Sequence, residues 1–196
     1  MPKPHGPWTI LESQSVYRDS WIELRRDEVV RPDGQPGTHV VVFLRRGVSV
    51  LLLDDEGSVY LTDEFHYGVG RNTLEVVSGG REGDEDPLLC AQREAEEELG
   101  ISARQWISLG SVDALTTILN SPAQLYLARG LTFGDSRPEG TEQIRCVKVP
   151  LTEAVEMVMD GRITHGASCV LILKTKLYLE RELASPGSQA PGRPPH

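Results

Sequence analysis

An acidic cluster near the middle of the chain has the residue types and the spacing of a metal-binding site. Glu94, Glu97 and Glu98 are spaced three and four residues apart. On a helix, this spacing puts all three carboxylates within an arc of about 100°. Like charges at positions i and i+4 cost an isolated helix about 0.2–0.5 kcal/mol, and a hard cation with oxygen ligands would offset that repulsion. The alternative is that the acidic run is a solvated helix face.

The sequence around the cluster predicts a helix with two marked ends. Asp86 suits the N-cap, Pro87 suits the first helical position, and Gly100 follows the last turn. The apolar positions of the helix share an arc of about 80°, so we expect them to face a core. These positions are Leu88, Ala91, Ala95 and Leu99.

The segment from Gly79 to Ile101 resembles the Nudix box. In that motif a glycine is followed, after five residues, by glutamate and then, after seven more, by Arg-Glu-aliphatic-x-Glu-Glu-x-Gly-aliphatic. The matching positions are Gly79, Glu85, Arg93, Glu94, Ala95, Glu97, Glu98, Gly100 and Ile101. The resemblance implies hydrolysis of a diphosphate bridge, with Mg²⁺ or Mn²⁺ as the cofactor.

The resemblance also implies roles for individual residues. The expected metal ligands are the carboxylates of Glu94, Glu97 and Glu98 and the backbone carbonyl of Ser78. Arg93 and Glu85 are expected to form a salt bridge that holds the preceding loop against the helix and supports the ligands. Gly79 and Gly80 let the backbone approach the metal closely, because they have no Cβ.

The segment before the box resembles the corresponding part of the ADP-ribose and related nucleotide-sugar pyrophosphatases. Those enzymes have Gln-Tyr-Arg-Tyr and then Glu-Leu-Pro-Ala-Gly, where this chain has residues 64–67 and 75–79. His66 replaces the arginine that touches phosphate, and a histidine is charged only part of the time near neutral pH. The proline-glycine signature expected about sixteen residues after the box is absent. The resemblance therefore leaves the exact substrate open.

Several further side chains are candidates for contact with the substrate. Those favoured are His66, Arg71, Phe65 and Glu139, and Arg45 or Arg46 is a candidate phosphate contact. Trp8 and Trp21 could stack on a nucleobase, although aromatic residues in such strands more often serve a core or an interface. The alternative is that each of these residues occupies an ordinary surface or core position without contact with the substrate.

The loop after the box supplies the expected catalytic base. Glu142 lies where the resembled enzymes have a glutamate that helps to activate water, and Glu139 is its nearest competitor. The alternative is that both are ordinary charges in a polar loop.

The implied fold class is α/β (α+β), with a Nudix-type α/β/α sandwich, a mixed sheet and an added N-terminal antiparallel sheet. Short β-branched runs near Trp21, His39, Val48 and Val59 predict the strands of that antiparallel sheet. Helical patterns are also present at about residues 151–159 and 167–183. We expect N-terminal strands over residues 1–37, a hydrolase domain over 38–184 and a disordered tail over 185–196. The resemblance implies a homodimer to which the N-terminal strands contribute.

Composition excludes some classes of partner. The chain has 29 Asp and Glu against 20 Lys and Arg, which gives a formal charge of −9. This charge repels nucleic-acid and anionic membrane phosphates, so we expect no nucleic acid and no membrane partner. Three widely spaced cysteines predict free thiols. Because the start also does not resemble a signal peptide, we expect a cytoplasmic protein.

Three functions fit these observations. The favoured one is Mg²⁺-dependent hydrolysis of a nucleoside diphosphate linked to a sugar or a similar group, giving a nucleoside monophosphate and a sugar phosphate. The second keeps the chemistry but takes a nucleoside triphosphate, a dinucleoside polyphosphate or a coenzyme. The third is a module that binds a nucleotide metabolite without turnover. The complete set of box carboxylates favours an enzyme.

Overall fold

A computed structural model describes residues 1–137, 140 and 143–184 of the chain. These residues form two sheets and three helices. The helices are α1 (Pro87–Leu99), α2 (Leu151–Met159) and α3 (Gly166–Ala184). The predicted disordered tail, residues 185–196, lies outside the described residues.

The first sheet contains the N-terminal strands. Its order is β1 (Lys3–His5), β2 (Trp8–Arg18), β3 (Ile22–Val30), β4 (Pro36–Leu44) and β10 (Leu119–Asn120). Strands β1 to β4 pair antiparallel, and the two-residue strand β10 joins β4 in parallel. The expected N-terminal sheet is therefore present, and its edge strand comes from the second half of the chain.

The second sheet is mixed and forms the middle layer of the molecule. Its main order is β12 (Arg145–Pro150), β6 (Ser58–His66), β5 (Gly47–Leu53), β11 (Pro122–Phe133) and β9 (Ile101–Asp113). Strand β7 (Arg71–Glu75) pairs with β6, and β8 (Val77–Gly80) pairs with β5. Among the described strands of this sheet, only β11 and β5 run parallel.

Strand β5 divides the core into two halves. Leu51 and Leu53 pack on the side of α2 and α3, whereas Val48, Val50 and Leu52 pack on the side of α1. Alternate side chains of a strand point to opposite faces, so a strand that is buried throughout needs a layer on each face. The predicted α/β/α sandwich is confirmed by this arrangement.

The assignment of two strands to the N-terminal sheet is wrong. The runs near Val48 and Val59 form β5 and β6, which lie in the mixed sheet. The physical reason is burial, because residues 48–53 are buried without interruption. An antiparallel sheet with one solvated face would instead alternate buried and exposed side chains.

The ends of α1 agree with the prediction. Asp86 accepts hydrogen bonds from the backbone N–H groups of Leu88 and Leu89, and Gly100 has a left-handed φ of 65°. Ala91 and Ala95 are fully buried, and Leu99 packs against the same core. This packing fixes the rotation of the helix and therefore the direction of its acidic face. In the described part of the chain, no helix is both long and apolar enough to span a membrane.

Candidate active site

Arg93 lies at the centre of the most densely paired charge cluster in the box segment. Its Nε and Nη2 donate to the two carboxylate oxygens of Glu85, at 3.0 and 3.1 Å. Its Nη1 lies 2.9 Å from Glu94 Oε1 and 2.8 Å from Glu97 Oε2. The salt bridge expected between Arg93 and Glu85 is present, while the contacts with Glu94 and Glu97 were not anticipated. We call these four residues the Arg93 network.

The Arg93 network shifts the pKa values of Glu85, of Arg93 itself and of the neighbouring Cys90. Hydrogen bonds from Arg93 lower the pKa of Glu85 to about 2, against the opposing effect of burial. Hydrogen bonds with Glu85 in turn raise the pKa of Arg93. Burial and the nearby carboxylates of Glu85 and Glu94 raise the pKa of the Cys90 thiol to about 12. Glu85 and Arg93 therefore stay ionised near neutral pH, and Cys90 remains a protonated thiol.

Gly79 brings the backbone of β8 against Glu94. A Cβ placed on Gly79 would lie 1.9 Å from Glu94 Cδ and 2.0 Å from Oε1. A Cβ at position 79 would clash with Glu94, so the glycine leaves the space that the Glu94 carboxylate occupies. Neighbouring Ser78 bonds through its hydroxyl to Ser49 Oγ, at 2.9 Å, and to the carbonyl of Val76, at 3.1 Å. The role expected of Ser78 as a metal ligand is that of its backbone carbonyl and not of this hydroxyl.

A second charge cluster surrounds the buried carboxylate of Glu75. His165 Nδ1 lies 2.9 Å from Glu75 Oε2, and His66 Nε2 lies 3.7 Å from Oε1. Thr73 donates to Oε1 at 2.6 Å, and its hydroxyl also lies 3.0 Å from His66 Nδ1. We call these four residues the Glu75 network. Sequence reasoning singled out His66 alone, because no spacing pattern connects it with His165.

The ionisation of Glu75 depends on its partners. Burial raises the pKa of this carboxyl, but hydrogen bonds from His165 and Thr73 and the charges of His165 and His66 outweigh that effect. The pKa consequently lies below its ordinary value. Glu75 is therefore a buried anion whose stabilisation comes largely from two histidines.

Two other predicted substrate residues, Phe65 and Arg71, lie around the end of β6. Phe65 is 57% exposed, and Arg71 is the cross-strand partner of His66. Arg71 donates to Thr164 Oγ1 at 2.8 Å. Trp21 is 64% exposed and lies under the Arg45 guanidinium, while Trp8 contacts the His39 ring edge-on. Glu139 and Glu142 lie outside the described residues.

Two family models match the chain. The N-terminal domain of nucleoside diphosphate sugar hydrolases matches residues 8–42, and the NUDIX domain matches residues 43–161. The chain belongs to the Nudix family. The predicted membership of the Nudix hydrolases is thereby confirmed, and residues 79–101 lie within the matched NUDIX domain.

Individual relatives agree with the family assignment. An ADP-ribose pyrophosphatase of Mycobacterium tuberculosis is 28% identical over 83% of this chain and 80% of the relative. A GDP-mannose pyrophosphatase of Yersinia enterocolitica is 29% identical over 67% of this chain and 74% of the relative. The crystal structure of an ADP compounds hydrolase has a TM-score of 0.79 at 17% identity, covering 92% of this chain and 98% of that one. This structure supports the Nudix-type fold.

The donor set of the box fits a divalent cation, although its side chains are not arranged as ligands. Among the described residues, no three His, Cys, Asp or Glu side chains form a metal centre. Arg93 Nη1 instead lies between the carboxylates of Glu94 and Glu97. Carboxylate and carbonyl oxygens are the donors that Mg²⁺ and Mn²⁺ accept, and Gly79 leaves room for Glu94 beside the β8 backbone. Nudix hydrolases generally use divalent cations, and the chemistry of these residues agrees with that requirement.

Proposed function

We propose that this Nudix protein hydrolyses the diphosphate bridge of a nucleoside diphosphate linked to a sugar or a similar group. The products are a nucleoside monophosphate and a sugar phosphate. The observation that carries the proposal is the Nudix box itself, held by the Arg93 network with Glu94 packed against Gly79. The pyrophosphatase relatives and the N-terminal family match favour an ADP-sugar type of substrate.

We propose that Glu94, Glu97, Glu98 and the Ser78 carbonyl hold Mg²⁺, with Mn²⁺ as a possible replacement. When bound, the cation neutralises the diphosphate and lowers the pKa of the attacking water. Arg93 holds the carboxylates of Glu94 and Glu97 on the same side of α1, and Glu85 fixes the guanidinium from the preceding loop. These contacts keep the two carboxylates next to each other on the helix.

The remaining steps belong to residues outside the box. Glu142, with Glu139 as the alternative, accepts the proton of the attacking water. The new bond forms between the water oxygen and one phosphorus, and the bridging P–O bond breaks toward the other phosphate. His66 and Arg71, which are neighbours at the end of β6, contact the phosphates, and Phe65 lies beside them. His66 carries its positive charge only when protonated.

The proposal includes a homodimer in the cytoplasm. The N-terminal sheet exposes several large apolar side chains: Leu11, Val16, Tyr17, Trp21, Val40 and Leu44. Such exposed apolar side chains favour contact with a second copy of the chain. Light scattering coupled to gel filtration is expected to give twice the chain mass of 21.6 kDa. The three cysteines are free thiols, which suits a reducing compartment.

A hydrolysis panel tests the activity. It covers ADP-ribose, ADP-glucose, UDP-glucose, GDP-mannose, NADH and nucleoside triphosphates with Mg²⁺. We expect an ADP-sugar to have the highest kcat/KM, and Glu98→Gln to lower kcat by about 100-fold or more because a charged ligand is lost. The control is Glu96→Gln, an exposed glutamate on the same helix, which should retain activity. Hydrolysis of nucleoside triphosphates alone would show that the protein has the second of the three functions that fit the sequence. Binding of a nucleotide without hydrolysis would show that it has the third.

A further inference from the structure

A cavity of about 690 Å³ is lined in part by the first residues of the Nudix box and contains three arginines. Its lining is Ser20, Arg45, Arg46, Arg81, Glu82, Gly83 and Asp84. Ser20 lies between two strands of the N-terminal sheet, and residues 81–84 precede α1. The cavity therefore opens between the two sheets, and none of the three predicted metal-binding glutamates lines it.

Backbone contacts fix the arginines in this cavity. Gly47 of β5 pairs with Gly80 of β8, and the Arg81 N–H donates to the Arg46 carbonyl at 2.9 Å. Arg45 Nε donates to the Ser20 carbonyl at 3.0 Å, and its guanidinium stacks 4.1 Å from the Trp21 ring centre. Stacking on an aromatic ring and a carbonyl bond orient a guanidinium without neutralising its charge.

The arginines of the cavity are not paired with the carboxylates that share its lining. Those carboxylates belong to Glu82 and Asp84, and within the part of the chain that the structure describes neither forms a salt bridge with the three arginines. By contrast, Arg129 of β11 pairs with Glu182 of α3. Both acidic residues of the lining are exposed, and the arginines outnumber them. The cavity is therefore locally cationic in a molecule with a formal charge of −9.

The position of Arg81 connects the cavity with the catalytic segment. Arg81 Nε donates to the Glu85 carbonyl at 2.6 Å, and the Glu85 carboxylate binds Arg93. A substrate whose diphosphate lies at the glutamates of α1 can therefore extend one of its ends into the cavity. The volume exceeds that of a single phosphate and has room for a phosphorylated sugar.

We infer that this cavity binds a phosphomonoester that the substrate carries outside its diphosphate bridge. A phosphomonoester is close to a dianion at neutral pH and accepts charge-assisted hydrogen bonds from several guanidinium groups. The inference rests on the proposed function and narrows its substrate class to nucleoside diphosphate compounds with a third phosphate. It assigns a specificity role to Arg81, which sequence reasoning did not single out, and to Arg46.

The test compares three compounds with the same diphosphate: ADP-ribose, 2′-phospho-ADP-ribose and ADP-ribose 1″-phosphate. Together they place a third phosphate on either half of the molecule. Dissociation constants are measured by calorimetry in EDTA, and kcat/KM is measured with Mg²⁺. We expect the wild-type protein to prefer one phosphorylated compound over ADP-ribose by about tenfold or more in both measurements.

Two variants and a control separate the cavity from the shared catalytic site. Arg46→Gln and Arg81→Gln should each reduce the preference to about threefold or less, because each removes a charged hydrogen-bond donor. Arg104→Gln, an exposed arginine on β9, should retain it. If the protein binds a phosphorylated compound preferentially in EDTA but hydrolyses none of the three compounds with Mg²⁺, the result would support the role of the cavity and refute the proposed function.

Two results would overturn the inference. One is a wild-type protein that binds all three compounds equally. The other is an equal loss of affinity for all three compounds in both variants, since the cavity would then serve the part that they share. Each preference is a ratio within one variant, so a loss of folded protein does not change it. An equal loss for all three compounds counts against the inference only when circular dichroism shows that the variants remain folded.

Discussion

The Arg93 and Glu75 networks are built in opposite ways. In the first, one cation is shared by three carboxylates, all of them on α1 or the loop directly before it. In the second, one carboxylate is shared by two histidines and a threonine that come from β6, β7 and the residue before α3. One network is local in sequence, and the other joins distant parts of the chain.

The difference in composition gives the central groups of the two networks different partners. Arg93 is charged throughout the ordinary pH range, and its hydrogen bonds lower the pKa of Glu85 to about 2. Hydrogen bonds from His165 and Thr73 lower the pKa of Glu75 against the opposing effect of burial. The Arg93 network thus keeps the carboxylates of the box beside one permanent cation, whereas the Glu75 network surrounds one buried carboxylate with hydrogen-bond donors.

The largest expected effect is the loss of Arg93. We expect Arg93→Met to lower kcat by about 100-fold, because supporting residues of metal sites contribute up to that factor. It should also lower the free energy of unfolding by about 2–3 kcal/mol, since Glu85, Glu94 and Glu97 lose their shared cation. The measurements are steady-state kinetics with ADP-ribose and urea unfolding.

The matched control is Arg129→Met, which removes an arginine from an exposed pair with Glu182. Exposed pairs contribute about 0–1 kcal/mol, so this variant should resemble the wild type. If both substitutions had equal effects on kcat, the Arg93 network would have no special part in the reaction.

An intermediate effect is expected from His66→Arg. If His66 contacts the phosphates, a permanent charge should lower KM for ADP-ribose by about tenfold with little change in kcat. Initial rates over a range of ADP-ribose concentrations measure the effect. An unchanged or higher KM would place His66 away from the substrate.

Local features of the site could be predicted from the sequence. The Asp86 N-cap, the αL Gly100 and the Arg93–Glu85 salt bridge all depend on residues close together in the chain. Capping and helical spacing are short-range effects, so the pattern determines them almost alone. The same spacing placed Glu94 and Glu97 on one face, although it did not reveal that Arg93 lies between their carboxylates.

Non-local features could not be predicted in the same way. The pairing of His165 with Glu75 depends on where the segment before α3 lies relative to β7, and no local pattern predicts that placement. The sheet to which β5 and β6 belong was also mistaken, because a short apolar run shows that a strand is buried but not which strands flank it. The resemblance assigned roles to Glu139 and Glu142, and those roles remain predictions.

The smallest expected effect concerns the acid limit of the Arg93 network. The pKa of Glu85 is lowered from 4.5 to about 2 in the folded protein, so its ionised form stabilises the fold above the ordinary value. That contribution is lost as the pH falls through the folded pKa. We expect Glu85→Gln to lower the free energy of unfolding by about 1 kcal/mol at neutral pH, and the difference from wild type to shrink between pH 4.5 and about 2. Urea unfolding at several pH values measures this difference in the free energy of unfolding, and Glu96→Gln is the exposed control. A difference that stays constant down to the lowest pH would show that the substituted amide perturbs packing, because the carboxylates that both proteins share cancel in the difference and the Glu85 contact with Arg93 does not.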